Sequence, residues 1–435
     1  MLWSLLACSF LEEPKTSPNI VVIIVDTLRA DHVGVYGALN PVTPTLDRLA
    51  MEGQFFTRAY AHSGWTLPST TSLFTGLYPH EHRVGRSPVS TEQFGSLSED
   101  QLTLAELFQQ KEYRTAAVIN NTFLAPTFGL NQGFDDYFYQ GSDNTVIRSA
   151  KDSTDIALEW WQQTKGSKFL VVHYMEPHMN LDPPQTTRGT FLKERTIPVP
   201  FAPEDAFEIT KKIRQGQKPA EEIAQVQQLY DEEILSIDTE LKRLTEALKG
   251  EEVIFAFTSD HGEEFWEQGG FEHGHHVGSL LTRIPLLVWG SGIDKKGKID
   301  AVVSHSDLFH SLLGLADIQP PQKTHGMQIL NQTSIPEQAV ISENTLYKDP
   351  QLSIVNREYR LEINQKTKTA GLWILDENGI EKQAVDENLQ ELAAPLYEEI
   401  ERIRGGIEPV EQVSGLKIPD YEVFLQLKKL GYLKE

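Results

Sequence analysis

The strongest constraint on the fold of this chain is a set of uninterrupted apolar runs, rich in β-branched residues, that recur along its 435 residues. They read "NIVVIIVD" (19–26), "RTAAVIN" (114–120), "KFLVVHYM" (168–175), "EVIFAFTSD" (252–260) and "RIPLLVWG" (283–290). A strand with one face in water alternates apolar and polar residues. A run without alternation reads as a strand buried on both faces, the usual state in a parallel sheet. Helical patterns lie between the runs. "QLTLAELFQQ" is one, and the clearest is "EEIAQVQQLYDEEILSIDTELKRLTEAL" (221–248), with apolar residues mostly three or four apart and Gly250 as a stop signal. Strands alternating with helices predict an α/β domain, a large and mostly parallel sheet sandwiched by helices. After about residue 330 the segments shorten and alternate, in "LSIVNREYRLEIN" and "TAGLWILDENG", before the helical "LQELAAPLYEEIERIR". The expected division is residues 18–330 for the large domain and 331–435 for a small C-terminal α+β domain with an antiparallel sheet.

In such sheets ligands gather beyond the carboxyl ends of the strands. The first run delivers Asp26 there, the run ending near Met175 delivers Glu176 and His178, and the run ending near Ser259 delivers Asp260 and His261. A single polar residue at a strand end is an ordinary cap; acidic and imidazole groups leaving three strands at one edge point to a site. Residues 181–220 form a Pro-rich excursion ending in a basic cluster at Lys211, Lys212 and Arg214, a length of loop that is often functional. "TLPSTTSLFTG" (66–76) crowds hydroxyls at the start of a helix, where free N–H groups and the helix dipole favour an anion.

The net charge of −23 argues against nucleic acid as a partner and against adsorption to anionic lipid. An anionic substrate then depends on local positive charge or on a metal. No segment reaches the roughly 18 apolar residues of a membrane-spanning helix. The single cysteine excludes an internal disulfide. It closes "MLWSLLAC", which resembles a bacterial lipoprotein signal with Cys8 as the lipidated residue, although the positive n-region is missing and the apolar run is short. Residues 1–17 are therefore expected to be a leader or tether. The location expected on that reading is periplasmic or on the outer surface, anchored through Cys8, with a cytoplasmic protein as the alternative.

Taken in order, these motifs resemble the sulfatases of the alkaline phosphatase superfamily over nearly the whole chain after the leader. "NIVVIIVDTLRADHVGVYG" is similar to the family's opening metal-binding strand and loop, and "TPTLDRLAMEGQFFTRAYA" to the helix and strand that follow. "TLPSTTSLFTGLYPHEH" falls in register with the signature of Cys or Ser, any residue, Pro, Ser, Arg, then a helix ending in Thr-Gly. "VVHYMEPHMNLDPP" resembles the central His-bearing strand end, and "TSDHGEEFWEQGGFEHGHH" the second metal segment. The resemblance implies that Asp26, Asp260 and His261 are metal ligands, with Thr66 as a fourth ligand and the nucleophile. One divalent cation is expected, Mn²⁺, Zn²⁺ or Ca²⁺; the imidazole shifts the preference toward Mn²⁺ or Zn²⁺. His178 falls in the place of a general acid. His273 or His275 occupies the segment that faces the substrate oxyanion, and spacing does not choose between them.

The departures are as informative. The residue that sulfatases convert to formylglycine is a threonine here, so no formylglycine is expected. Thr70 stands where the signature has Arg, and Thr27 replaces the second Asp of the opening pair. Where many sulfatases carry Gly-Lys-Trp-His, this chain has Ile119-Asn120-Asn121-Thr122, which puts Asn120 or Asn121 forward to hold a phosphoryl group. These features resemble relatives with a Thr nucleophile: phosphonate and phosphodiester hydrolases, and phosphoglycerol and phosphoethanolamine transferases. The reading is a metal-dependent hydrolase of sulfate or phosphate esters working through a covalent Thr66 intermediate, on a sulfated or phosphorylated glycan, lipid or small molecule. The alternatives are a phosphodiester or phosphonate hydrolase or group transferase acting on envelope glycans or lipids, and a degenerate metal- or glycan-binding protein.

Overall fold

A computed structural model describes residues 17–87, 93–141, 148–376, 379–384, 389–404 and 416–417. Cys8 and nearly all of the expected leader lie outside the described residues. In chain order the elements that build the site are β1 (Asn19–Val25), α1 (Pro44–Glu52), β2 (Gln54–Tyr60), α2 (Thr66–Thr75), β3 (Arg114–Ile119), β4 (Asp136–Tyr139), α3 (Ala150–Gln163) and β5 (Lys168–Tyr174). They continue with α4 (Ala220–Ala247), β6 (Val253–Ser259), β7 (Arg283–Ile284), β8 (Leu286–Gly290), β9 (Gly297–Ser304) and α5 (His305–Leu315). The nine strands form one sheet in the order β7-β2-β8-β6-β1-β5-β3-β4, with β9 paired to β2.

β1 lies at the centre, parallel to β5 on one side and to β6 on the other. Its residues sort by parity. Val21, Ile23 and Val25 enter a core shared with α1, α3 and α4, while Ile20, Val22 and Ile24 enter a second core shared with α2 and α5. Burial on both faces is why the run shows no alternation. Fully burying each such aliphatic side chain stabilises the fold by roughly 1.5–3 kcal/mol. The last apolar run differs in direction. Leu286–Trp289 are buried, but the strand runs antiparallel to both β6 and β2. Apolar continuity reports burial on two faces, and it carries no information about strand direction.

The long helix α4 braces the loop that follows β1. The Tyr230 hydroxyl donates to Thr27 O at 2.7 Å and accepts from Arg29 N at 2.9 Å. The C-terminal part is a five-stranded antiparallel sheet that begins at Val340, with helix Leu389–Arg404 packed on its core through Ala393, Leu396 and Ile400. It docks on the segment that leads into α2: Ser342 Oγ donates to Ala61 O at 2.6 Å, Glu343 N to His62 O at 2.9 Å, and Trp65 Nε1 to Asn344 O at 2.7 Å. The small sheet therefore fixes the backbone immediately before Thr66. No helix among the described residues is long and apolar enough to cross a membrane.

Candidate active site

Because Val25 pairs with Ser259, the next residue of each strand, Asp26 and Asp260, emerges side by side at the carboxyl edge. Thr27 turns back with φ 58°, a left-handed conformation that is uncommon for a β-branched residue. That turn aims Thr27 N at Asp260 Oδ1 (3.2 Å), which also accepts from His261 N at 2.9 Å. The other Asp260 oxygen, Oδ2, and Asp26 Oδ1 are buried without a hydrogen-bond partner among the described residues.

His261 completes the arrangement. Its Nδ1 lies 2.8 Å from Gly262 O and must carry the proton of that bond. Nε2 therefore presents a lone pair, 3.3 Å from Asp260 Oδ2, 3.7 Å from Asp26 Oδ1 and 3.3 Å from Thr66 Oγ1. All four residues are buried. Burial, together with the Asp26 charge, pushes the Asp260 carboxyl well above the usual range. Burial also opposes the Asp26 charge, but His173, His178 and His261 outweigh it and hold that carboxyl below its ordinary value. Burial drives His261 well below its ordinary value, which leaves it neutral and able to ligate. Lone pairs converging in a dry site repel one another unless a cation lies between them. The orphaned oxygens and the neutral imidazole therefore fit a divalent metal. Two carboxylates with one imidazole suit a borderline ion better than an all-oxygen calcium cage.

Thr66 opens α2, directly after Trp65 in extended backbone, and every residue of that helix is buried. Three of the four hydroxyls that follow are committed to packing: Ser69 Oγ donates to Asp260 O at 2.5 Å, Thr71 Oγ1 to Leu67 O at 2.6 Å, and Ser72 Oγ meets His82 Nε2 at 3.1 Å, while Thr70 Oγ1 is buried without a hydrogen-bond partner among the described residues. Thr66 alone among these faces the carboxylates and His261. Asn121 Nδ2 joins it, 2.6 Å from Asp26 Oδ2 and 3.4 Å from Thr66 Oγ1. Asn120 points away: its Nδ2 bonds Ser153 Oγ of α3 at 2.9 Å and His173 O of β5 at 2.6 Å, so it ties that helix to that strand and does not reach the site.

A row of imidazoles leads outward. The ring of His261 lies 4.4 Å from that of His273, which lies 5.1 Å from that of His178. His178 Nδ1 bonds Met179 O at 2.8 Å, and His273 Nδ1 faces Glu263 Oε1 at 3.1 Å. Burial disfavours the charged form of His178, yet Asp26 and Glu263 outweigh it and raise its proton affinity. Burial and the neighbouring His178 push His273 well below its ordinary value. The two neighbouring rings are thus driven in opposite directions. His275 is elsewhere. Its Nε2 is 2.6 Å from Glu264 Oε2, which also meets His276 Nε2 at 3.1 Å. His276 Nδ1 accepts from Gly278 N at 2.9 Å, so its Nε2 carries the proton and does not ligate a metal. That trio is satisfied internally, and of the two candidates only His273 stands in the row.

The family model described as Sulfatase matches residues 18–318. The chain belongs to the sulfatase family. It is similar to an arylsulfatase of Clostridium perfringens, 26% identical over 387 residues covering 72% of this chain and 77% of the relative. It is also similar to the human N-acetylgalactosamine-6-sulfatase, 26% identical over 332 residues covering 70% of this chain and 63% of the relative, so it spans less than two thirds of that protein's length. Among solved structures it resembles the phosphonate monoester hydrolase of Agrobacterium radiobacter, with TM-score 0.70, 17% identity, and 89% and 95% of the two chains covered. It also resembles a protein in complex with its substrate D-glucosamine-2-N,6-O-disulfate, with TM-score 0.71, 18% identity, and 92% and 100% covered. Those two likenesses show the alkaline phosphatase-like fold.

Two further residues of this sulfatase-family enzyme stand out. His173, inside β5, has its Nε2 3.4 Å from Asp26 Oδ2 and went unnoticed in the sequence because its apolar neighbours mark it as strand interior. The only signal was an imidazole within a run that otherwise buries apolar groups. Glu176, just beyond β5, accepts from Ala150 N at 2.8 Å through Oε1 while Oε2 has no partner among the described residues. Burial raises its carboxyl from 4.5 to about 7. A carboxyl raised in the folded state favours folding below its unfolded value, and that contribution is lost as pH rises through the folded value. Glu176→Gln is therefore expected to remove part of the fall in stability between about pH 4.5 and 7. Its effect is bounded at about 3 kcal/mol by the linkage relation. Urea midpoints across that pH range check it, and parallel profiles for the two proteins would count against it.

Proposed function

We propose that this protein is a metal-dependent hydrolase of singly charged anionic esters, with Thr66 as nucleophile and a phosphate diester or phosphonate as the preferred substrate. The observation that carries it is the convergence of Thr66 Oγ1, His261 Nε2 and two orphaned carboxylate oxygens at the first turn of α2. A divalent cation held by Asp26, Asp260, His261 and Thr66 supplies Lewis-acid polarisation of the ester and lowers the pKa of the Thr66 hydroxyl. Thr66 is aimed by the start of the helix, whose N–H groups favour an anionic ester beside it. Asn121 holds Asp26 and donates toward the Thr66 oxygen, and His178 carries the proton that the leaving oxygen takes up. Thr66 has one hydroxyl, so its ester is resolved by attack of water at the central atom, which returns the free side chain.

The preference for phosphorus rests on what Thr66 and Thr70 replace. Thr66 in the place of the formylglycine precursor favours phosphorus, while Thr70 in the place of the signature Arg leaves fewer cations and so disfavours a dianionic phosphate monoester relative to any singly charged ester. A degenerate metal binder would keep the same metal-facing residues, so turnover is what separates it from the hydrolase. The test is hydrolysis of nitrophenyl sulfate, phosphate, phosphodiester and phosphonate by protein loaded with Mn²⁺, Zn²⁺ or Ca²⁺. Diester or phosphonate is expected to turn over fastest. A clear lead for sulfate would reverse the choice of atom, and no turnover with metal bound would favour the binder.

A further inference from the structure

We infer that His173 is a positioning residue for the metal centre: it holds Asp26 by the carboxylate oxygen turned away from the cation and so keeps the other oxygen aimed at Asp260 and His261. The inference rests on the reading that a cation occupies this site. His173 pairs in register with Ile24, two residues before Asp26, and is buried. Neither of its ring nitrogens has a hydrogen-bond partner among the described residues. A buried polar group left unpaired costs about 1–3 kcal/mol. An imidazole among Phe169 and Val171 on the apolar face of β5 is therefore a cost that packing alone does not explain.

What it approaches is specific. Nε2 lies 3.4 Å from Asp26 Oδ2, the same oxygen that Asn121 Nδ2 contacts at 2.6 Å. The opposite oxygen, Oδ1, is the orphan, and it faces His261 Nε2 at 3.7 Å. Asn121 Nδ2 donates to Oδ2, and His173 Nε2 stands beside it at 3.4 Å, so that closing this second contact would stop the carboxylate from rotating about its own axis and leave Oδ1 for the ion. The contact is longer than a well-formed charge-assisted bond of about 2.7–2.9 Å; such bonds commonly tighten when the bound partner is present. The backbone of His173 is itself fixed, because Asn120 Nδ2 donates to its carbonyl at 2.6 Å. The chain thus runs from Ser153 through Asn120 to His173 and on to Asp26.

Groups that orient a metal ligand from outside typically set about 10- to 100-fold in metal affinity. The experiment titrates the full chain, stripped with chelator, with Mn²⁺ by calorimetry and with Co²⁺ by visible absorption. It compares wild type, His173→Leu, His173→Gln and His173→Asn. Gln carries an N–H about as far as Nε2, whereas Asn is too short and Leu has no donor. Leu and Asn are expected to bind Mn²⁺ about 10- to 100-fold more weakly, Gln close to wild type, and the Co²⁺ spectrum of Gln is expected to match wild type. Should His173→Leu fail to fold, the Gln and Asn contrast carries the test. Equal affinity in all four proteins overturns the inference, as does equal weakening in Gln and Asn. A changed Co²⁺ spectrum in Gln also overturns it, by making His173 a direct ligand. Absence of binding by wild type itself would instead defeat the metal-site reading.

Discussion

Thr66→Ala is expected to lower turnover of the best substrate by at least about 10⁴-fold while leaving the metal in place. The expectation follows from the environment of this one hydroxyl. It stands 3.3 Å from His261 Nε2 and 3.4 Å from Asn121 Nδ2, while Ser69, Thr71 and Ser72 in the same helix are bonded elsewhere. Removing it deletes the attacking oxygen and leaves Asp26, Asp260 and His261 to hold the ion. Substrate KM and bound metal per chain should therefore change little. The measurements are steady-state kinetics and metal content by elemental analysis. An Ala variant that kept a tenth of wild-type turnover would move the nucleophile elsewhere, with water the first candidate.

Asp260→Asn is expected to have opposite effects on stability and function. In the metal-free protein Asp26 and Asp260 are buried neighbours whose charges oppose one another. An asparagine keeps an oxygen to accept from Thr27 N and His261 N, and it replaces the orphaned Oδ2 with a donor beside the His261 Nε2 lone pair. The variant stripped of metal should melt above stripped wild type, because relieving an uncompensated buried charge stabilises a fold. Adding metal should then reverse the ranking. An ion at about 100 to 1,000 times its dissociation constant stabilises wild type by about 3–4 kcal/mol, and the variant gains little of that. Turnover should fall by at least about 10³-fold with the lost ion. Thermal melts with and without chelator decide the matter: a variant whose melting responds to metal as wild type does would remove Asp260 from the ligand set.

Much of this was legible before any coordinates. The unbroken run "NIVVIIVD" reads as a strand because both of its faces are buried, and the strand-end rule then brings Asp26, Asp260 and His261 to one edge. Parity of side chains in the turn after β3 was not legible. Neighbouring residues of an extended segment point oppositely, so one of Asn120 and Asn121 had to face the site, and spacing gave no phase to choose between them. Likewise His273 and His275 lie on the same side of a loop by count. Only the positions of Glu263 and Glu264 separate a ring that joins the imidazole row from one locked into a hydrogen-bonded trio. His173 was hidden for a different reason. A polar side chain inside an apolar strand is noticed in sequence only when its partner is known, and the partner here is 147 residues away, the difference between positions 173 and 26.

The sheet order also has a consequence for how the protein is made. β1 sits between β5 and β6, so its first residues leave the ribosome long before either neighbour does. Asp26 and Thr66 emerge early, but the partner strand that carries Asp260 is separated from β1 by more than half of the chain. Contacts of that separation form late and slowly. A nascent chain up to the end of α4 therefore presents only Asp26 and Thr66 of the proposed ligand set. It has no complete cage in which to trap whichever ion is most abundant during synthesis. On the proposed ligand set, metal selection would be deferred until β6 closes against β1, when geometry as well as affinity could decide which ion stays.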